Sequence, residues 1–305
     1  MRYLFSFKAQ GRVSRKPLST RNLSMRRPFF LLTLLAFAFP ASAHAGYTFT
    51  TIDAPGATST TAFCINSSGE IVGDYNDVAG ALHGFLLSGG SFTSFDVPGS
   101  VSTNPWAIND AGQIVGGYFD AGGKLHGFLL SGGSFTSIDV PNATSTNARG
   151  INSHGAIVGG YGDAGGETHG FLLSGGSFTT IDFPNAPYTV VNRVTDTGQV
   201  LGQYVDAHGA QHGFLLSSGR FTTINFPRAV FTSALGINSA GQIVGMYRKA
   251  DGVMHGFLLS GGQYTSIDAP NASYTSVLEI DVFGNIVGRY DDANGKAHGF
   301  HAVRN

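Results

Sequence analysis

From residue 47 onward, apolar side chains come in short bursts separated by Gly, Asn, Asp, Ser and Pro. No apolar residue recurs at i, i+3, i+4 and i+7 over a helix-length window, and Gly interrupts every candidate run, so helices are set aside. The bursts are rich in Ile, Val, Phe and Thr, which suit a pleated, half-buried surface. In the first full unit they predict strands at 62–66, 70–75, 83–87 and 91–96. The turns between them carry their own signals. Asn66-Ser67-Ser68-Gly69 and Asp77-Val78-Ala79-Gly80 each finish on a Gly that can take positive φ, and Ser88-Gly89-Gly90 serves the third hairpin in the same way. Pro98 ends the fourth strand because it cannot donate to a ladder.

This pattern is periodic. His-Gly-Phe begins at His83, His126, His169, His212, His255 and His298, in steps of 43 residues without insertion or deletion. Ile65-Asn66 returns at Ile108, Ile151 and Ile237, with Val194-Thr195 and Ile280-Asp281 as weaker copies. Ile71-Val72-Gly73 returns at Ile114, Ile157, Ile243 and Ile286, and once as Val200-Leu201-Gly202. Phe49-Thr50-Thr51-Ile52-Asp53 returns from Phe92, Phe135, Phe178, Phe221 and Tyr264. Such a period belongs to propellers and other repeat arrays. One four-stranded sheet per repeat cannot stand alone in water, so its faces must meet those of its neighbours. Residues 47–55 read as a fourth strand without its predecessors, and 298–303 as a third strand without a successor. The expectation is an all-β, six-bladed β-propeller with four antiparallel strands per blade, its ring closed when the N-terminal strand joins the last blade. An open β-solenoid is the competing arrangement, and it would need polar caps that neither end of the repeat region supplies.

Composition changes the picture at the N-terminus. The first 45 residues hold 8 of the 18 Lys and Arg and none of the 19 Asp and Glu, so residues 46–305 carry a net charge of -9. Arg26 and Arg27 precede an apolar stretch over 29–39, and Ala43-His44-Ala45 offers a small-x-small cleavage pattern. Residues 1–45 therefore read as a secretory signal, with Met25 as an alternative start, and 46–305 as the mature propeller. The apolar stretch is too short to span a bilayer. The expected destination is secreted, periplasmic or attached to the cell surface. An acidic mature chain repels phosphates and argues against nucleic acid as a partner. Cys64 is the only Cys, which excludes an internal disulfide and a cysteine-based zinc site.

The repeated histidines are read as structural, each locked within its own unit by the Asp of the preceding turn (Asp77, Asp120, Asp163, Asp206 or Asp292), with Lys249 breaking the pattern once. Six equivalent positions on a third strand stand far from one another, so no metal is expected there, and no cofactor elsewhere. The recurring tyrosines, Tyr75 to Tyr290, are expected to pack between blades. Informative positions are those that break the repeat. One reads Phe63, Trp106, Arg149, Asn192, Leu235 and Leu278; the next reads Cys64, Ala107, Gly150, Arg193, Gly236 and Glu279. Arg193 and Glu279 are candidates for an ion pair across a central channel or for a polar ligand. Trp106 beside Arg149 is a candidate stacking surface. Tyr188 and Arg228 are the unusual members of the loops between fourth and first strands, the face expected to make contacts.

No Gly-x-Ser-x-Gly elbow, His-Glu-x-x-His helix or phosphate-binding Gly-Lys-Ser/Thr loop is present. The carboxylates mostly repeat once per unit, whereas a glycosidase needs two particular ones close together. The run Ile-Asn-x-x-Gly-x-Ile-Val-Gly-x-Tyr followed by His-Gly-Phe-Leu-Leu resembles the HAF repeat family of bacterial proteins over 47–303, with Gly in place of the middle Ala. That resemblance implies an extracellular location and carries over no activity or catalytic residue. The expected role is a binding or surface-interaction module for an extracellular glycan or an envelope protein, without catalysis. A polysaccharide hydrolase or lyase, or a purely structural extracellular protein, are the alternatives.

Overall fold

The computed structural model describes residues 34–35, 42–44 and 46–305, with side chains from Gly46 onward. The expected signal at 1–45 lies outside these residues, apart from Leu34–Leu35, paired with residues 91–92, and Ser42–His44, paired with residues 47–49. Every described element is a strand, and the strands form a β-propeller arrangement. No helix among the described residues is long and apolar enough to cross a membrane.

The first unit runs Ser59–Ile65, Ile71–Asn76, Leu82–Ser88 and Ser91–Phe95, each strand antiparallel to the next. Later units begin at Ser102–Ile108, Ser145–Ile151, Tyr188–Val194, Phe231–Ile237 and Tyr274–Ile280. First strands start earlier than the apolar pattern predicts, because Ser59 and Thr60 already pair with Asn76 and Tyr75. The last unit takes its outer strand from the other end of the chain: Tyr47–Ile52 pairs with Ala297–Arg304, from Gly299 opposite Ile52 to Arg304 opposite Tyr47.

Burial follows the repeat. The Phe of each His-Gly-Phe (Phe85, Phe128, Phe171, Phe214, Phe257, Phe300) is wholly excluded from solvent, which removes a large apolar surface from water in every unit. Neighbouring units are tied by a buried hydroxyl that the periodicity alone does not announce. Thr60, Thr103, Thr146, Thr189, Thr232 and Thr275, near the start of each first strand, accept the backbone N–H of Ala54, Val97, Val140, Phe183, Phe226 and Ala269 at 3.0–3.1 Å. Each of these bonds caps the end of the preceding fourth strand.

The histidines are held within their units, and the expected turn carboxylates stand beside five of them, but each histidine also has a nearer partner. The nearer contact is from Nδ1 to the end of the fourth strand: Asp96, Asp139, Asp182, Asn225, Asp268 and Asp53 lie 2.8–2.9 Å away. The turn carboxylates stand farther off, at 3.2–3.7 Å from Nε2. Register explains this. Gly84 pairs with Phe95, which sets His83 beside Asp96, while Asp77 spends one oxygen on the N–H groups of Ala79 and Ala81 in its own turn. His255, whose turn carries Lys249, keeps only Asp268 as a carboxylate partner. The tyrosines pack against buried clusters that span neighbouring units, as expected, and also within their own units. Each pairs across the ladder with its own histidine, and the rings lie 5.0–5.3 Å apart within one unit. Only Tyr204 and Tyr247 add a stack on the preceding unit, against Phe183 at 3.6 Å and Phe226 at 3.5 Å.

Candidate functional site

The first strands of successive units contact one another, and Tyr274–Ile280 contacts Ser59–Ile65. They line a common channel. Each first strand slips register by one residue, between Ala62 and Cys64, Pro105 and Ala107, Ala148 and Gly150, Val191 and Arg193, Ala234 and Gly236, and Val277 and Glu279. The skipped residues are Phe63, Trp106, Arg149, Asn192, Leu235 and Leu278, the positions that vary from repeat to repeat. A bulge leaves its residue unpaired and re-aims the side chain. All six line the same small axial cavity.

Arg193 and Glu279 meet in the channel as an ion pair, with side chains only 12% and 7% exposed. The guanidinium also donates to the carbonyls of Arg149 and Asn192 at 2.8 Å. Glu279 Oε1 accepts the N–H of Ile280, and Oε2 lies 3.7 Å from Cys64 Sγ. Burial opposes the charge on Arg193, yet Glu279 holds its pKa above the ordinary guanidinium value. Cys64 is pushed up to about 12, first by burial and then by the Glu279 charge, so its thiol stays protonated and unreactive. The pair is thus mutually neutralised and hydrogen-bonded on both sides.

This plug separates two cavities. The larger, about 250 Å³, opens at the end carrying the turns between first and second strands. Its wall is apolar (Ile65, Ile108, Ile151, Ile237, Ile280) and its rim is polar. The rim is rigid because Asn side chains bridge adjacent units: Asn66, Asn109, Asn152 and Asn238 donate to the carbonyls of Asn109, Asn152, Thr195 and Asp281 at 2.9–3.3 Å. Asp110 and Asp196 accept the N–H groups of Ser67 and Ser153 at 2.9 Å. The smaller cavity, about 10 Å³, lies on the other side of Arg193, toward the loops between fourth and first strands. Here Arg149 sits 4.7 Å over the Trp106 ring, and Trp106 packs on Phe63 with ring centres 4.4 Å apart.

The channel therefore gathers Trp106, Arg149, Arg193 and Glu279, and divides them between plug and small cavity. Tyr188 and Arg228 line neither cavity. Tyr188 opens its first strand close enough to act on the Arg149 charge, while Arg228 is exposed in a loop at φ +63°. The larger cavity opens at the end opposite the loops expected to make contacts. In the sequence the Ile-Asn repeat at this end reads as turn formation, and its 43-residue spacing is the signal for side chains that bridge adjacent units. Among the described residues, Asp163, Glu167 and His169 bring one ligand atom each within 4.8 Å of one another. They lie on the turn after Ile157–Gly162 and the start of Thr168–Ser174, away from the axis.

No family model matches the chain, and no curated protein matches it. Solved structures do. A lectin from Aleuria aurantia, described as having a six-bladed β-propeller fold and a novel fucose recognition mode, superposes with a TM-score of 0.53 at 15% identity, covering 80% of this chain and 91% of that one. AofleA from Arthrobotrys oligospora gives 0.53 at 12%, over 88% and 95% of the two chains. The β-propeller domain of the trilobed protease from Pyrococcus furiosus, reported to have an open velcro topology, gives 0.54 at 9%, over 90% and 95%. At these identities the likeness carries the fold. It is a β-propeller.

Proposed function

We propose that this protein is an exported, six-bladed β-propeller, closed by its own N-terminal strand, that binds carbohydrate without altering it chemically. The larger axial cavity carries the reading. It joins an apolar wall to a rim of carboxylates, amides and hydroxyls held by turn and inter-unit hydrogen bonds, which suits a hydroxylated ligand with one apolar face. Its acids are already engaged: Glu279 by Arg193, and Asp110, Asp196 and Asp281 by backbone N–H groups. Among the described residues lining this cavity no carboxyl group is without a partner, so the hydrolase or lyase reading has less support. The fucose-specific lectin from Aleuria aurantia among the structural neighbours favours carbohydrate as the ligand class.

Closure is supported by the pairing of Tyr47–Ile52 with Ala297–Arg304, by His298 on Asp53 at 2.9 Å, and by the Ala54 N–H on Thr60 at 3.0 Å. Export rests on Arg26, Arg27, the apolar stretch 29–39 and Ala43-His44-Ala45. Glycan-array binding by the purified protein tests the function. We expect recognised glycans whose binding falls at least about tenfold in Asp196→Ala, equivalent to roughly 1.4 kcal/mol, with no change in Arg228→Ala. Absence of glycan binding, or full retention in Asp196→Ala, overturns the assignment.

A further inference from the structure

At the opposite end of the channel, two buried donors have nothing to donate to. Trp106 Nε1 and Arg149 Nε are shielded from solvent and find no acceptor among the described residues. Arg149 spends one Nη1 hydrogen on Asn192 Oδ1 at 3.2 Å and lies over the Trp106 ring. Among the described residues no carboxylate pairs with it. The ionisable groups acting on it are the Tyr188 phenol and the like-charged Arg193, whose own partner is Glu279. Burial pulls the Arg149 pKa down, but a guanidinium keeps its proton throughout the usable pH range. Buried N–H groups in folded proteins almost always have an acceptor, so two orphans side by side, one of them cationic, call for an anion.

The surroundings narrow its chemistry. Phe63, Leu235 and Leu278 supply the rest of the ring, so only one arc of the cavity is polar. The enclosed floor, about 10 Å³, has room for roughly one oxygen-sized atom. Arg193 also lines this cavity but is paired with Glu279. The one guanidinium left over matches a singly charged, planar group better than a phosphate, and the bulk of the ligand must stay outside. We propose that the Trp106–Arg149 cavity is a second binding site that takes the carboxylate of a small organic acid, one oxygen seated against Trp106 Nε1 and Arg149 Nε. The bulges set this site. They turn an aromatic, a cation and an amide from three consecutive repeats toward the axis at one level. It stands apart from the larger cavity and does not depend on it binding carbohydrate.

Trp106 is the only tryptophan in the chain, so intrinsic tryptophan fluorescence of the purified protein reports directly on the site. Acetate, glucuronate, glucose and chloride are titrated at constant ionic strength. We expect a saturable change at millimolar acetate, which glucose and chloride do not produce. A parallel response to glucuronate identifies an acidic sugar as an acceptable carrier of the group, and acetate alone restricts the site to smaller acids. Arg149→Gln should weaken acetate at least about tenfold, as expected for loss of a charge-assisted hydrogen bond. The wild-type comparison decides the matter should that variant fail to fold. No saturable response to either carboxylate, or the same response to glucose or chloride, overturns the proposal.

Discussion

At the scale of single residues, Asp74 shows how an inconspicuous position can govern the response to pH. It sits on Ile71–Asn76, buried at 8% exposure between the first and second units, and accepts a hydrogen bond from Asn104. Burial pushes its pKa up to about 7, against the pull of hydrogen bonds from Thr61 and Asn104 and of the Arg289 charge. A carboxyl raised in the folded state favours folding fully below its unfolded pKa and loses that contribution as pH rises toward the folded value. Asp74 therefore works against stability above pH 7 and is silent near pH 4. Replacing it by Asn keeps an acceptor for Asn104 and removes the charge. Asp74→Asn should stabilise the protein by roughly 2–4 kcal/mol at pH 8 and leave it nearly unchanged at pH 4, as measured by urea denaturation at the two pH values. An equal effect at both would refute this account. The corresponding residues in other units are Gly117, Gly160, Gln203, Met246 and Arg289. The sequence shows that the position varies, but its burial against the next unit comes only with the packing.

At the scale of the strand, the repeated Ile-Val-Gly has a steric origin in the bulge opposite it. Where the first strand slips past its partner, its backbone closes on the second strand. A Cβ on Gly159 would stand 2.0 Å from the Asn147 carbonyl oxygen and 2.8 Å from the Phe171 ring, with the equivalent clash in every unit. A Cβ on the next residue, Gly160, would meet the Val190 side chain at 3.0 Å, with the nearest backbone atom, the His169 carbonyl oxygen, at an ordinary contact distance of 3.6 Å. Gly159→Ala should cost about 3 kcal/mol or more, because backbone must move, and Gly160→Ala about 1 kcal/mol or less. Thermal unfolding of the two variants separates these outcomes, and similar losses would mean that the bulge does not set the constraint. Strand and turn positions were legible in the sequence because alternation and Gly placement are local properties. The bulges were not. A register slip leaves no mark on one strand and exists only relative to its partner.

At the scale of the molecule, the pairing of chain ends carries the most consequence. Phe49 is 5% exposed, with its ring 5.2 Å from that of Phe300, so the N-terminal strand is seated in the last sheet as the other fourth strands are in theirs. Amides of Tyr47–Ile52 should exchange with solvent as slowly as those of Gln263–Ile267, an outer strand supplied from within its own unit. Phe49→Ala should lower stability by about 3 kcal/mol. Fast exchange at 47–52 would indicate that this strand is not firmly seated in the last sheet.

The sequence by itself determined the strand type, the turns, the period of 43 residues and the complementarity of the two terminal segments. Each is written in neighbouring residues or in their repetition. It also marked the variable positions, Trp106, Arg149, Arg193 and Glu279 among them. Tertiary structure alone decided what those positions do. Arg193 and Glu279 are 86 residues apart and meet only because first strands from different units crowd one axis. Their pairing divides the channel, leaving an interlocked polar rim at one end and an unpaired cation at the other. Such a division depends on distances between units, which local pattern does not encode.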